Sequence, residues 1–220
     1  RAAFSASDEY RALERYWLAQ VGDNAMPLEL PTDHERSAPR SYRSEREDGP
    51  VPPALLESVR KAGAASGASL FVTLLGAFAV LVYRLSGQRD FIVGVPAAGQ
   101  NTEGREHLIG HAVHLLPLRV AVDPAESFRT LLARLRTSML DAFEHQGYTF
   151  GSLLRKLVVE RDASRPTLVS VMFNVDQLLQ LDGAFAGLGA EFRSNPRAFE
   201  NFDISVNVVQ ENGGLRAEWQ

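Results

Sequence analysis

Cysteine is absent from all 220 residues, which removes disulfide frameworks, thiolate nucleophiles and thiolate zinc sites from consideration. The absence fits a reducing compartment, and a cytoplasmic location is the expectation. An excess of one charge is missing too. Against 27 Asp and Glu stand 23 Lys and Arg, a net charge of -4 and a pI of about 5.8, and the densest charged stretch, Ser44 to Asp48, mixes both signs. Without a basic face, neither nucleic acid nor an anionic membrane is an expected partner. Long hydrophobic runs are also lacking. The most apolar one, Leu70 to Val82, falls well short of the roughly 20 residues a spanning helix needs and is followed by Tyr83 and Arg84, so it reads as a buried helix. Arg1 opens the chain without an initiator methionine or a signal-like pattern, as a processed protein or an excised fragment would.

What is present is enough apolar surface, 45% of residues, to bury a substantial core as one large domain or one lobe of a bilobal protein. Tyr10, Leu13, Trp17 and Leu18 recur at helical spacing after possible caps at Ser5 and Ser7, which predicts a helix over 8–20. The next stretch, "PLELPTDHERSAPRSYRSEREDGPVPP", shows neither helical nor strand period. It reads as an extended connector that crosses rather than builds the core, with one strand near 42–47. Helices are expected over 54–65, stopped by Gly63 and Gly67, and over 69–85, stopped by Gly87. Asp123, Pro124 and Glu126 have the form of a capping box with proline at the first helical position. Phe128, Leu131, Leu132, Leu135, Met139 and Phe143 follow at helical spacing, so a helix is expected over 124–145. "DFIVGVPAA", "VHLLPLRVAV", "TLVSVMFNV", "AEFRS", "FDISVNVVQ" and "LRAEWQ" read as strands, with "ENGG" as the hairpin turn before the last. Helices alternate with strands first and strands gather at the end, which predicts a two-layer α/β sandwich with a mixed sheet. No internal repeat or low-complexity tract is visible.

Catalytic motifs are scarce. His107, His111 and His114 have the spacing of a metal cluster only if they share a helix, and Gly110 with the β-rich "VHLLPLR" breaks one there, so no metal site is expected. "GVPAAG" follows a strand but lacks the later glycine and the lysine of a phosphate-cradling loop. Ser152, Ser164 and Ser170 lack a G-x-S-x-G context. The carboxylate pairs Glu9 with Glu14 and Glu45 with Glu47 fall on segments that read as solvated faces.

A set of ordered strings rises above this background. "ERYWLAQVGDNAMPLELPTDHERS", "GVPAAGQNTEGREHLIGHAVHLLPLR", "HQGYTFGSLL", "RDASRPTLVSVMFNVD" and "FDISVNVVQENGGLRAEW" resemble, in order and separation, the C-terminal half of condensation domains of nonribosomal peptide synthetases. Residues Ile109 to Arg119, His145 to Leu154 and Arg161 to Asn174 align without insertion with the family patterns IGxFVNTxxLR, HQxxPFExL and RDxSRxPLFxVMFN. The resemblance implies one lobe of a V-shaped bilobal fold like that of chloramphenicol acetyltransferase. Residues 1–50 would form an inter-lobe helix and connector, and residues 51–220 a C-terminal lobe lacking its final strand and helix. It also implies amide formation for the intact domain: an acceptor aminoacyl amine attacks a donor acyl thioester, both carried on phosphopantetheine arms of upstream and downstream carrier domains. No cofactor is expected to bind the chain directly.

The family places its HHxxxDG motif in the N-terminal lobe, and this sequence contains none. No catalytic residue is therefore expected here, and the chain alone is expected to be inactive. Carried over position by position, Asn174 matches the VMFN asparagine and either bonds substrate in the channel or ties a strand edge to a loop. Gln100 stands where many members carry arginine, which puts an inter-lobe salt bridge in doubt, and His114 replaces the asparagine of FVNT near the expected channel, either tuning a pocket or sitting satisfied in the core. Arg161, Asp162 and Arg165 match RDxSR and are expected to lock a loop. His145 and Gln146 match HQxxPF, His145 as a helix C-terminal cap, with Tyr148 and Phe150 anchoring the turn. Epimerisation, heterocyclisation, a free-standing acyltransferase and a noncatalytic carrier-docking module stay open as alternatives.

Overall fold

The computed structural model describes residues 7–22, 27–98, 109–110, 112–158, 162–176, 187–188, 194–211 and 214–220. Helix α1 (Asp8–Val21) starts where the Ser7 side chain accepts from the Tyr10 amide, and ends at Gly22, whose φ is 68°. After the connector come β1 (Glu47–Val51), α2 (Pro53–Ala64), α3 (Leu70–Ser86) and β2 (Asp90–Ala98). β3 (Val113–Ala121), α4 (Phe128–Glu144), α5 (Phe150–Lys156), β4 (Val171–Asp176), β5 (Ile204–Glu211) and β6 (Gly214–Trp219) complete the order.

The six strands form one sheet in the order β1-β6-β5-β4-β2-β3. β4 runs parallel to both β2 and β5, and the remaining pairs are antiparallel. Strand alternation divides the sheet into two faces. Val93, Val95, Val171, Phe173, Val206, Val208 and Leu215 turn to one side and are buried. There Phe173 meets Phe71 and Phe78 of α3 at 5.7 and 5.3 Å, and Phe78 also reaches Trp219 at 6.4 Å. Helices α2, α3 and α4 pack on the sheet, while α1 and α5 pack against each other and against β3. The result is the two-layer α/β sandwich with a mixed sheet that the order of elements predicts.

Several boundaries differ from expectation for identifiable reasons. α4 begins at Phe128, not Pro124, because Ser127 caps it by accepting from the Thr130 amide. Asp123 spends its side chain on an Asx-type turn to the Ala125 amide instead, and Glu126 pairs with Arg134. Two competing caps lie four residues apart, and the one nearer the apolar stripe prevails. Gly63 does not stop α2. It lies inside the helix, where any Cβ would run into the Thr73 hydroxyl and come within 3.2 Å of the Ala68 carbonyl. The strand expected near 42–47 is displaced: Arg43 forms only an isolated bridge with Phe199, and the strand proper starts at Glu47. The boundary drawn at 50 and 51 falls within that strand. Nor is the connector only a crossing, since Leu28 and Leu30 are buried in the core. Ser5, the first four residues of "AEFRS" and the two central residues of "ENGG" lie outside the described residues, while the flanking pair Glu211 and Gly214 closes the β5–β6 ladder.

Gly63 yields a prediction whose sign runs against helix propensity. Alanine in a helix interior gains about 1 kcal/mol over glycine, whereas forcing a methyl into a packed site costs about 1–3 kcal/mol. The Thr73 hydroxyl cannot retreat freely because it donates to the Ser69 carbonyl at 2.8 Å. Gly63→Ala should therefore lower stability by about 1 kcal/mol in urea unfolding; an increase would show that the loop after α2 yields.

Candidate functional site

Burial of Phe173 and Val171 against the helices forces Asn174 to the other face of β4. The β5 register sets Asn207 opposite Asn174, and the β6 register sets Glu218 opposite Asn207. The three side chains stand in a row across adjacent strands. Asn174 Nδ2 donates to Asn207 Oδ1 at 3.0 Å and to Asp176 Oδ1 at 2.8 Å. Asn207 Nδ2 in turn donates to Asp176 Oδ2 at 2.9 Å and makes a longer contact of 3.5 Å to Glu218 Oε2.

Glu218 is only 4% exposed, so its charge needs partners. Arg216 supplies one at 3.0 Å and Arg46 another at 3.7 Å, while the Ser194 hydroxyl donates at 3.2 Å. Arg46 also pairs with Asp48 at 2.9 Å. A cavity of about 40 Å³ opens here among Arg46, Ser194, Asn195, Arg197, Ser205, Asn207, Glu218 and Gln220, room enough for a water molecule. The arrangement is a polar wall, able to give and accept hydrogen bonds, in which Glu218 is paired with two arginines while its Oε1 makes no hydrogen bond among the described residues.

A second constellation fastens the connector. Arg36 donates from Nη1 to Asp203 Oδ1 at 3.1 Å and sets Nη2 3.1 Å from Oδ2 as an ion pair, and Arg40 stands 3.8 Å from the same carboxylate. Arg40 also donates to the Asn201 carbonyl, and its amide donates to the Ala163 carbonyl. Arg165 pairs with Glu29 of the connector and with Asp162 at 3.1 Å. Asp162 accepts from the Ser164 hydroxyl at 2.7 Å and amide at 2.8 Å; those bonds, with Arg165 nearby, hold its carboxyl below the usual range. Arg161 lies outside the described residues.

His145 closes α4. Its amide donates to the Asp141 carbonyl at 3.1 Å, its Nδ1 lies 2.6 Å from that oxygen, and its own carbonyl accepts from Trp17 Nε1 at 2.9 Å. The ring stacks on Tyr16 at 3.7 Å. The Gln146 amide continues the turn to the Phe143 carbonyl. Tyr148 is buried beside Tyr10, 5.0 Å between rings, and Phe150 packs against the core at the start of α5. His114, partly buried, pairs with Ala97. That register sets it on the same face as Leu116 and Leu118, not on the face of Asn174. Gln100, His107 and His111 lie outside the described residues. Among the described residues no three His, Asp or Glu side chains converge as metal ligands, and no helix is long and apolar enough to cross a membrane.

The structure thus brings Asn174 together with Asn207, Asp176 and Glu218, and leaves His145, His114 and Asp162 elsewhere. Asn207 and Glu218 escaped the sequence reading. The available signal was modest: each is a polar residue at an alternate position of an apolar strand, which also describes an ordinary solvent-facing position.

Burial, followed by the charges of Asp141 and Glu144, pushes the Tyr16 phenol up to about 12, and burial with Glu14 does the same for Tyr148. Unfolded tyrosine titrates near ~10. A raised folded value means the stabilisation is complete below pH ~10 and is lost as pH rises from there towards about 12. In a pH titration followed by tyrosine absorbance, Tyr16→Phe and Tyr148→Phe should each remove one late-ionising phenol; a substitution that leaves the high-pH part of the curve unchanged would contradict it.

A family model described as "Condensation domain" matches residues 1–220. One of the linear gramicidin synthase proteins of Brevibacillus parabrevis is 37% identical over 92% of this chain, which spans 3% of that protein. Tyrocidine synthase 3 of the same organism is 32% identical over 97% of this chain, which again spans 3% of it. Among solved structures, the first condensation domain of the CDA synthetase superposes with a TM-score of 0.74 at 22% identity, covering 100% of this chain and 47% of that one.

Proposed function

This chain belongs to the condensation-domain family, and from that membership we propose that it is the C-terminal lobe of a domain forming amide bonds in nonribosomal peptide synthesis. The observation that carries the reading is the polar row Asn174, Asn207 and Glu218 on the sheet face opposite the Phe173 core. On this reading the row is one wall of a channel. An upstream carrier domain presents an acyl or peptidyl thioester on phosphopantetheine, and a downstream carrier presents an aminoacyl thioester. The amine attacks the donor carbonyl, the thiolate leaves, and the amide stays on the downstream carrier.

The partner lobe supplies the HHxxxDG histidine for the amine and this chain supplies the wall, so the chain alone is inactive. The inter-lobe helix and connector proposed for residues 1–50 are held at Arg36 by Asp203 and at Glu29 by Arg165. Asp162 and Arg165 lock the loop before β4, and His145 and Gln146 cap α4. Gln100 is proposed as a channel neighbour; His114, which the β3 register sets on the helix face of the sheet, is proposed as a core histidine and not as part of the wall.

Single-turnover assays with carrier-bound donor and acceptor test this, comparing the chain alone with the parent protein that includes the upstream lobe. Product from the parent only is the expected result. Product from the chain alone would place the catalytic group within these residues and overturn the division of labour. Product from neither, with carriers shown to be loaded, would favour a carrier-docking module.

A further inference from the structure

Asp176 is joined to two amides at once, and that geometry has a chemical consequence. A side-chain amide can turn either its oxygen or its nitrogen to a neighbour, and the two orientations fill almost the same space. A carboxylate can only accept. Its two oxygens therefore select the nitrogen of Asn174, at 2.8 Å, and the nitrogen of Asn207, at 2.9 Å. Once Asn207 has turned its nitrogen to Asp176, its oxygen is left for Asn174, which donates to it at 3.0 Å. Both choices agree. The triangle is closed: Asn174 Nδ2 directs both of its bonds into it, Asn207 Nδ2 directs one into it and leans to Glu218 at 3.5 Å with the other, and Asn174 Oδ1 accepts from none of the described residues.

We propose that Asp176 and Asn207 are positioning residues that fix the Asn174 amide with its carbonyl oxygen offered to the substrate, so that the group recognised there is an N–H donor, the amine of the acceptor aminoacyl thioester. The inference rests on the channel-wall reading of Asn174 given above. Were the amide free to flip, half of its orientations would point an NH2 group at an amine hydrogen. Bonds between a neutral amide and a carboxylate belong to the stronger class, so a partner pair of this kind is well suited to holding one orientation. The amine would meet an acceptor that removes none of its nucleophilicity, because Oδ1 engages N–H and leaves the nitrogen lone pair free.

The test uses the intact parent protein. The proteinogenic aminoacyl groups are loaded in turn on the downstream carrier, and the one with the highest wild-type turnover serves as acceptor for all variants, with the upstream donor held constant. Asp176→Asn and Asn207→Ala should each raise the KM for the acceptor about tenfold while leaving the donor KM and the thermal midpoint near wild type. The deciding arm is the double variant: if Asp176 acts through Asn174, Asp176→Asn should have no further effect on acceptor KM in an Asn174→Ala background. An equal effect in both backgrounds, or parallel losses for donor and acceptor, would overturn the positioning role. An impaired Asn174→Ala beside a wild-type-like Asp176→Asn would overturn the positioning role alone. A wild-type-like Asn174→Ala would sink the channel-wall reading and this inference with it.

Discussion

The constraint on which the rest of the structure depends is the packing of Phe173 between Phe71 and Phe78. An aromatic ring of that size, buried at the middle of β4, leaves no freedom in which way the strand faces, since a slip by one residue would turn Asn174 into the core. Each neighbour then inherits the orientation through its register. β5 places Val206 and Val208 beside Phe173 and sends Asn207 to the other side; β6 follows with Ala217 and Trp219 inward and Glu218 outward. The polar wall is thus the reverse side of the hydrophobic core, and its residues are aligned by the same pairing that buries Val and Phe.

The charges on that wall are arranged to stay where they are. Glu218 and Arg46 are both poorly exposed, and each has more than one partner. Removing a single member would strand a charge in a site with little water, which is why such networks resist drift even when their net contribution to stability is small. Exposed pairs such as Arg11 with Asp8 have no such constraint and contribute little.

Much of this was legible in the residues, for physical reasons that also explain what was not. Helix α3 could be read to within a residue because a serine cap, an apolar stripe and a left-handed glycine all agree at Ser69 and Gly87. The start of α4 misled because Asp123, Pro124 and Glu126 satisfy the local rules for a cap while Ser127 sits closer to the stripe. Gly63 misled because its meaning is tertiary: it makes room for Thr73, ten positions away in sequence. Asn174 stood out through its motif, whereas Asn207 and Glu218 acquire meaning only once β5 is known to lie between β4 and β6. Strand order is a property of pairing across the chain, and no local pattern encodes it.

The grip of Arg36 and Arg40 on Asp203 has a mechanical side. The Asp203 amide donates to the Ser170 carbonyl at 2.7 Å, so the connector is tied at one point to the entrances of both β4 and β5. From that tie Asn174 lies four positions along one strand and Asn207 four along the other. Any displacement carried by the connector loads two parallel strands from the same end, as a yoke loads two shafts, and moves them together rather than sliding one past the other. The asparagine pair keeps its alignment under load, and it is the two strands together that shift.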